Sequence, residues 1–190
     1  MAATDITDEF TLKMRQNAVY MAYFAYEDLE MGTYPLLTGE IFASKVRTGG
    51  DWDYKRLYGP TTNYIYNNLT VTGEDMWNMN YGFAGRGATF SSTLLLSAAG
   101  AYQIYSGTSY IGWWSTYFDD PNDQRWISYG ISMFDNNSWP RSYSLNTEDI
   151  NNSYENIFDT LTPEEKKAIK EEVLRYIAKL KKQMQKKGKC

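Results

Sequence analysis

Residues 7–31, TDEFTLKMRQNAVYMAYFAYEDLEM, decide the fold class. Leu12, Met14, Val19, Met21, Ala22, Ala25 and Leu29 recur at approximately helical spacing, and Tyr20, Tyr23 and Phe24 widen the stripe. Thr7 is placed to cap this helix, Asp8 and Glu9 suit its first turn, and Gly32 ends it. A long amphipathic helix at the start of the chain asks for other helices to cover its apolar face.

The rest of the chain supplies them. Thr162-Pro163-Glu164-Glu165 is a capping box with proline at the first helical position. Behind it Ile169, Val173, Tyr176, Ile177, Leu180 and Met184 form an apolar stripe that ends among basic residues, where the helix dipole favours them. Asp119–Phe134 reads as a helix capped by Asp120, with Pro121 first and Asp123 in the first turn. Thr93–Tyr105 is apolar and rich in small residues and reads as a buried central helix; a short helix surrounds Glu40–Val46. Residues 60–92 read as largely irregular, with extended pieces at Tyr64–Tyr66 and Met79–Phe83, and residues 136–152 as loop. The expected fold is mainly α, with α+β as the alternative: a helical domain over residues 1–160 with irregular loops and a small β-hairpin, loosely lysozyme-like in layout, then a basic amphipathic helix over 161–190. The lysozyme comparison is an analogy of layout and says nothing about function.

Composition narrows the chemistry. The 190 residues contain no histidine, and the one cysteine is the terminal Cys190. Ser–His and Cys–His nucleophiles, histidine-ligated zinc and an intramolecular disulfide are therefore excluded. Carboxylates, Lys, Tyr, Ser/Thr and oxygen-liganded metals remain. Charge is split: residues 1–160 carry a net −10 and residues 161–190 a net +6. An acidic body is a poor match for a phosphate backbone, so nucleic acid is the less favoured substrate. Seventeen Tyr and six Trp offer large flat faces of the kind that line a polymer-binding groove, although most such rings serve a core. No apolar run reaches the roughly 20 residues of a membrane span. Met-Ala-Ala-Thr-Asp at the start does not read as a signal peptide, so work outside the producing cell would require a dedicated carrier.

Four blocks carry a resemblance. Gly49-Gly50-Asp51-Trp52-Asp53-Tyr54-Lys55 comes first, then Asn78-Met79-Asn80-Tyr81-Gly82-Phe83-Ala84-Gly85. The apolar Leu94–Gln103 follows, and last Asp119-Asp120-Pro121-Asn122-Asp123-Gln124 with Ile127 and Gly130. In this order, over roughly residues 10–135, they resemble the bacterial toxin 44 family of polymorphic toxins. The resemblance implies an antibacterial effector delivered by a specialised secretion apparatus, acting in the periplasm or cell wall of a competitor and restrained by a cognate immunity protein. It also implies an acid directly before the first-helix sequence Met14-Arg15-Gln16-Asn17, where this chain has Lys13. Either this form is inactive, or Glu9, one turn earlier, substitutes.

Three chemistries compete. In the first, the domain hydrolyses peptidoglycan glycan with two carboxyls across a cleft. Asp51 and Asp53 would point the same way from an extended segment, with Trp52 opposite. Glu9 or the Lys13 position would face them. Trp52, Tyr54 and Tyr81 would floor the groove, Lys55 would be a further substrate contact, and Asn78, Asn80 and Gln103 would bond hydroxyl or N-acetyl groups. This reading needs no cofactor. The competing structural reading has Asp51 and Asp53 capping a helix that starts near Trp52. In the second chemistry, Asp119, Asp120 and Asp123 hold Mg²⁺ or Ca²⁺ in a ribonuclease-type toxin, against the plainer view that they cap a helix. In the third, the chain binds without catalysis, its C-terminal helix docking on the body or mediating self-association.

Overall fold

The structure is a computed structural model and describes residues 3–106, 120–140 and 157–187; for 100–106 and 186–187 it describes the backbone only. In chain order the elements are β1 (Thr4–Asp5), α1 (Thr7–Glu30), α2 (Leu36–Val46), α3 (Tyr54–Tyr58), β2 (Tyr64–Tyr66), β3 (Leu69–Val71), α4 (Gly73–Gly87), α5 (Ser92–Ser106), α6 (Pro121–Asp135), a 3-10 turn (Ile157–Thr160) and α7 (Pro163–Lys187). The fold is mainly α, as expected. β2 and β3 form an antiparallel hairpin, and β1 adds to β2 in parallel. Asn67 and Asn68 turn the hairpin with φ of 49° and 63°, the left-handed pair that a two-residue turn requires.

The centre is α4. Thr72 and Asp75 start it with a reciprocal capping box, and almost every residue along it is buried. It packs most extensively against α6, then against α1. The α4–α6 approach is close because Gly82 and Gly130 lie at the crossing. A Cβ on Gly82 would run into the Ile127 carbonyl, and one on Gly130 into the Met79 carbonyl.

Two expectations are overturned here. Met79–Phe83 is helix, not an extended piece. Its Gly and Asn content suggested irregularity, but the glycines serve helix contact and the capping box fixes the start. The central buried helix is α4 and not the Thr93–Tyr105 segment. α5 does form, but on the flank: Leu95 is buried while Leu94 is half exposed. Small apolar residues marked a helix, but among its described side chains, up to residue 99, Leu95 alone is buried. A smaller difference concerns α1: Ile6 occupies the cap position without a side-chain bond, and Thr7 instead bonds Asp5 and the Asn67 N–H.

α7 begins as expected. Thr162 N–H donates to Glu165 and Glu165 N–H to Thr162 Oγ1. Val173 and Ile177 are buried as α7 packs along α1. Gln16 bonds Glu165, and Tyr176 meets Phe24 edge to face. The +6 segment thus has an intramolecular partner for its apolar stripe. No helix among the described residues is long and apolar enough to cross a membrane.

Candidate functional site

Each of the sequence blocks reaches α4 or α1 through a specific contact. Asp53 is the cap of α3. Its Oδ1 accepts from Arg56 N–H at 3.2 Å and its Oδ2 from Gly49 N–H at 2.8 Å. With 6% of its side chain exposed, the carboxylate is turned towards its own backbone, as a capping residue requires. The result is a fixed 49–55 segment. Trp52 is buried edge-on against Tyr20. Asp51, well exposed, takes the Lys45 ammonium at 2.6 Å, and Lys45 also sits 4.7 Å over the Tyr20 ring and 3.7 Å from Glu172 of α7. Lys55 pairs with Glu74 at 2.7 Å and covers the Trp77 ring.

Asp53 also sets Tyr54 at the first position of α3. Asn17 of α1 donates to Tyr54 Oη at 2.8 Å and to Asn80 Oδ1 at 2.9 Å, so α1, α3 and α4 meet in one buried network. Burial pushes the Tyr54 phenol up to about 12, so it stays neutral and serves as a hydrogen-bonding group. Asn80 is therefore a scaffold contact on its oxygen side. Asn78 lies on the other side of α4 and donates to Asp123 Oδ1 at 2.7 Å. Next to it Asn122 donates to Asp75 Oδ1 at 3.1 Å. Tyr81 donates to the Leu95 carbonyl and is largely buried, stacked on Trp77. Gln103 lies in α5 where only the backbone is described.

Of the aspartates considered for a metal, Asp120 caps α6 by accepting from Asn122 N–H, Asp123 takes Asn78, and Asp119 lies outside the described residues. Among the described residues no three His, Cys, Asp or Glu side chains come together as a metal site.

An exposed carboxylate–ammonium pair lies on α1. Glu9 and Lys13 are spaced four apart on one side of the helix, with the buried Asn17 one turn further along. Glu9 Oε1 accepts from Tyr58 Oη at 2.6 Å and lies 3.4 Å from Lys13 Nζ. The Glu9 side chain is 57% exposed and that of Lys13 40%. The Tyr58 hydrogen bond, helped by Lys13 and opposed by slight burial, holds the Glu9 carboxyl below its ordinary value. Tyr58 itself is raised, by burial first and then by Glu9. Phe10, Tyr54 and Tyr64 surround Tyr58 edge-on or tilted, so the hydroxyl is fixed from below.

Glu9 and Asp51 are not neighbours. Asp51 is tied to the Lys45 that covers Tyr20, and Tyr20 lies eleven residues beyond Glu9 on the same helix, roughly 16 Å along the axis. Asp53 spends both oxygens on backbone. Sequence reasoning missed Tyr58, because the four-residue spacing from Tyr54 is a helical signal too short to stand out. It also gave Asn17 no role, although it is the last residue of the Met-x-x-Asn sequence.

A family model described as bacterial toxin 44 matches residues 41–136, from within α2 to the end of α6. No curated protein and no solved structure matches the chain.

Proposed function

From the premise that this chain belongs to the bacterial toxin 44 family, and so is a bacterial toxin domain, we propose that it is built to hydrolyse cell-wall glycan on the α1–α3 face and that Lys13 holds it inactive. The observation that carries this reading is the contact between Lys13 Nζ and Glu9 Oε1. Glu9 is an exposed, ionised carboxylate fixed by a phenol, which suits a nucleophile, base or charge stabiliser. Glycoside hydrolysis needs a second carboxyl with a raised pKa to protonate the leaving oxygen. Position 13 is where α1 would present it. Side chains at i and i+4 lie about 5–6 Å apart at Cβ, so a carboxyl at position 13 would stand beside that of Glu9. Two carboxyls that close cannot both ionise easily, which raises one of them. An ammonium there satisfies Glu9 and puts a cation where the second carboxyl would stand.

The absence of histidine and the acidic body support glycan over nucleic acid. Asp53 is a positioning residue in this scheme: it fixes the 49–55 segment and, through Tyr54 and Asn17, the pitch of α1 against α3. Delivery to a competitor cell and neutralisation by an immunity protein fit a toxin of this kind.

The test uses the Lys13→Glu variant on purified peptidoglycan and, separately, on RNA and DNA with and without EDTA. New reducing sugar ends from peptidoglycan support the proposal. Nucleic-acid cleavage that stops with EDTA overturns it in favour of a metal-dependent nuclease.

A further inference from the structure

α7 has a second face besides the one that packs on α1. Val173 and Ile177 are buried, and Leu180 is partly buried on the same stripe. At about 100° per residue, Arg175, Lys179 and Lys182 fall within roughly 60° of one another on the opposite side of the helix. All three are exposed, and among the described residues none of them is paired with a carboxylate. Glu172, three residues before Arg175, lies against Lys45 instead. From Arg175 to Lys187 the helix holds six Lys and Arg and no Asp or Glu. The helix dipole accounts for cations in the last turn only, whereas Arg175 and Lys179 lie twelve and eight residues before the end of α7 at Lys187. A stripe of unpaired cations on a chain of net charge −4 needs another cause.

We propose that this stripe docks the protein on an anionic lipid surface. Three cations in a row about 10 Å long, on the convex side of a helix, fit a flat array of phosphate headgroups. Leu174 and Met184 are exposed on the same helix. They suit the boundary between headgroups and acyl chains, which a purely ionic partner does not offer. Residues 1–160 carry a net −10, so the rest of the surface is repelled and the stripe fixes which side faces the lipid. The apolar stripe of α7 is spent on α1 and does not insert, so the contact is weak and weakened further by salt. This docking does not depend on the glycan reading.

The test is co-sedimentation of the whole chain with vesicles of equal parts phosphatidylglycerol and phosphatidylcholine, and with vesicles of phosphatidylcholine alone, across a NaCl series. Binding is expected to the anionic vesicles only, falling steeply with salt. Replacing Arg175, Lys179 and Lys182 together by Gln should lower the partition coefficient about a hundredfold, at roughly fivefold per cation, with Tm unchanged. Replacing the exposed Arg47, Arg125 and Lys167 by Gln removes the same charge elsewhere and should change it far less. No binding to the anionic vesicles overturns the proposal, as does binding that ignores salt or falls equally in both triple variants. Vesicle binding that survives the stripe substitutions, while a dimer seen by sedimentation velocity is lost, overturns it in favour of a second copy of the chain.

Discussion

Lys13 Nζ lies 3.4 Å from Glu9 Oε1, one turn along the same face of α1, and Tyr58 Oη reaches that same oxygen at 2.6 Å. A cation and a phenol therefore converge on one exposed carboxylate. The phenol is held by its own aromatic neighbours and is part of the fold, whereas the cation is a side chain on a half-exposed helix face. Replacing one leaves the other in place, so their effects on Glu9 are separable.

Tyr58→Phe should raise the Glu9 pKa towards its ordinary value, because the Tyr58 hydrogen bond is the largest cause of the depression. Lys13→Gln should raise it less. A carboxyl held low in the folded state stabilises the protein above its unfolded pKa, and that contribution is lost as pH falls through the folded value. Tyr58→Phe should accordingly flatten the acid limb of the stability curve. Carboxyl ¹³C NMR titration reads the shift, and an unmoved Glu9 in Tyr58→Phe would show that the hydrogen bond does not set it.

Asp53 should behave as a cap. Asp53→Ala should cost about 1 kcal/mol, up to about 2, in urea unfolding, and Asp53→Asn less, since an amide oxygen can still accept from Arg56 N–H. Combined with Lys13→Glu, Asp53→Asn should retain most of any glycan hydrolysis. A loss of roughly 10²–10⁴-fold would mark it as the general acid instead.

The buried Asn17 network should be more costly to break than its size suggests. Asn17→Ala leaves Tyr54 Oη and Asn80 Oδ1 without their donor, at about 1–3 kcal/mol for the unmet groups. Denaturant midpoints measure this. A change below about 0.5 kcal/mol, the range of ordinary surface substitutions, would contradict the network as drawn.

Gly130→Ala should force α4 and α6 apart, because the added carbon meets the Met79 carbonyl backbone, which cannot rotate away as a side-chain end can. A cost of at least about 1–3 kcal/mol is expected from such overpacking. Thermal unfolding checks it, and a fully tolerated alanine would mean the crossing is looser than it looks.

Much of the architecture was legible. α1 announces itself through its apolar stripe, and α6 and α7 through stripes, caps and proline at the first position, which are local signals. α4 was not legible, because glycines that permit helix contact look the same in sequence as glycines that end a helix; only the facing Ile127 and Met79 carbonyls tell them apart. The sequence marked Asp53, Asn78 and Asn80 as special, but it could not separate residues that hold a site from residues that act in it. That distinction depends on which atoms face backbone: Asp53 gives both oxygens to N–H groups. Glu9 could be noticed from its distance to position 13 along the helix, whereas Tyr58 had to be seen in space.

On the proposed reading, Lys13 occupies the place of the second carboxyl of a glycosidase pair with Glu9. The most direct measurement is the rate of turbidity loss of purified peptidoglycan with the parent chain, Lys13→Glu, and Lys13→Glu combined with Glu9→Gln. The parent should not clear it, Lys13→Glu should, and the clearing should be lost when Glu9 is also changed. Equal inactivity of Lys13→Glu and the parent, with both folded, would contradict that reading, as would clearing that persists without the Glu9 carboxylate.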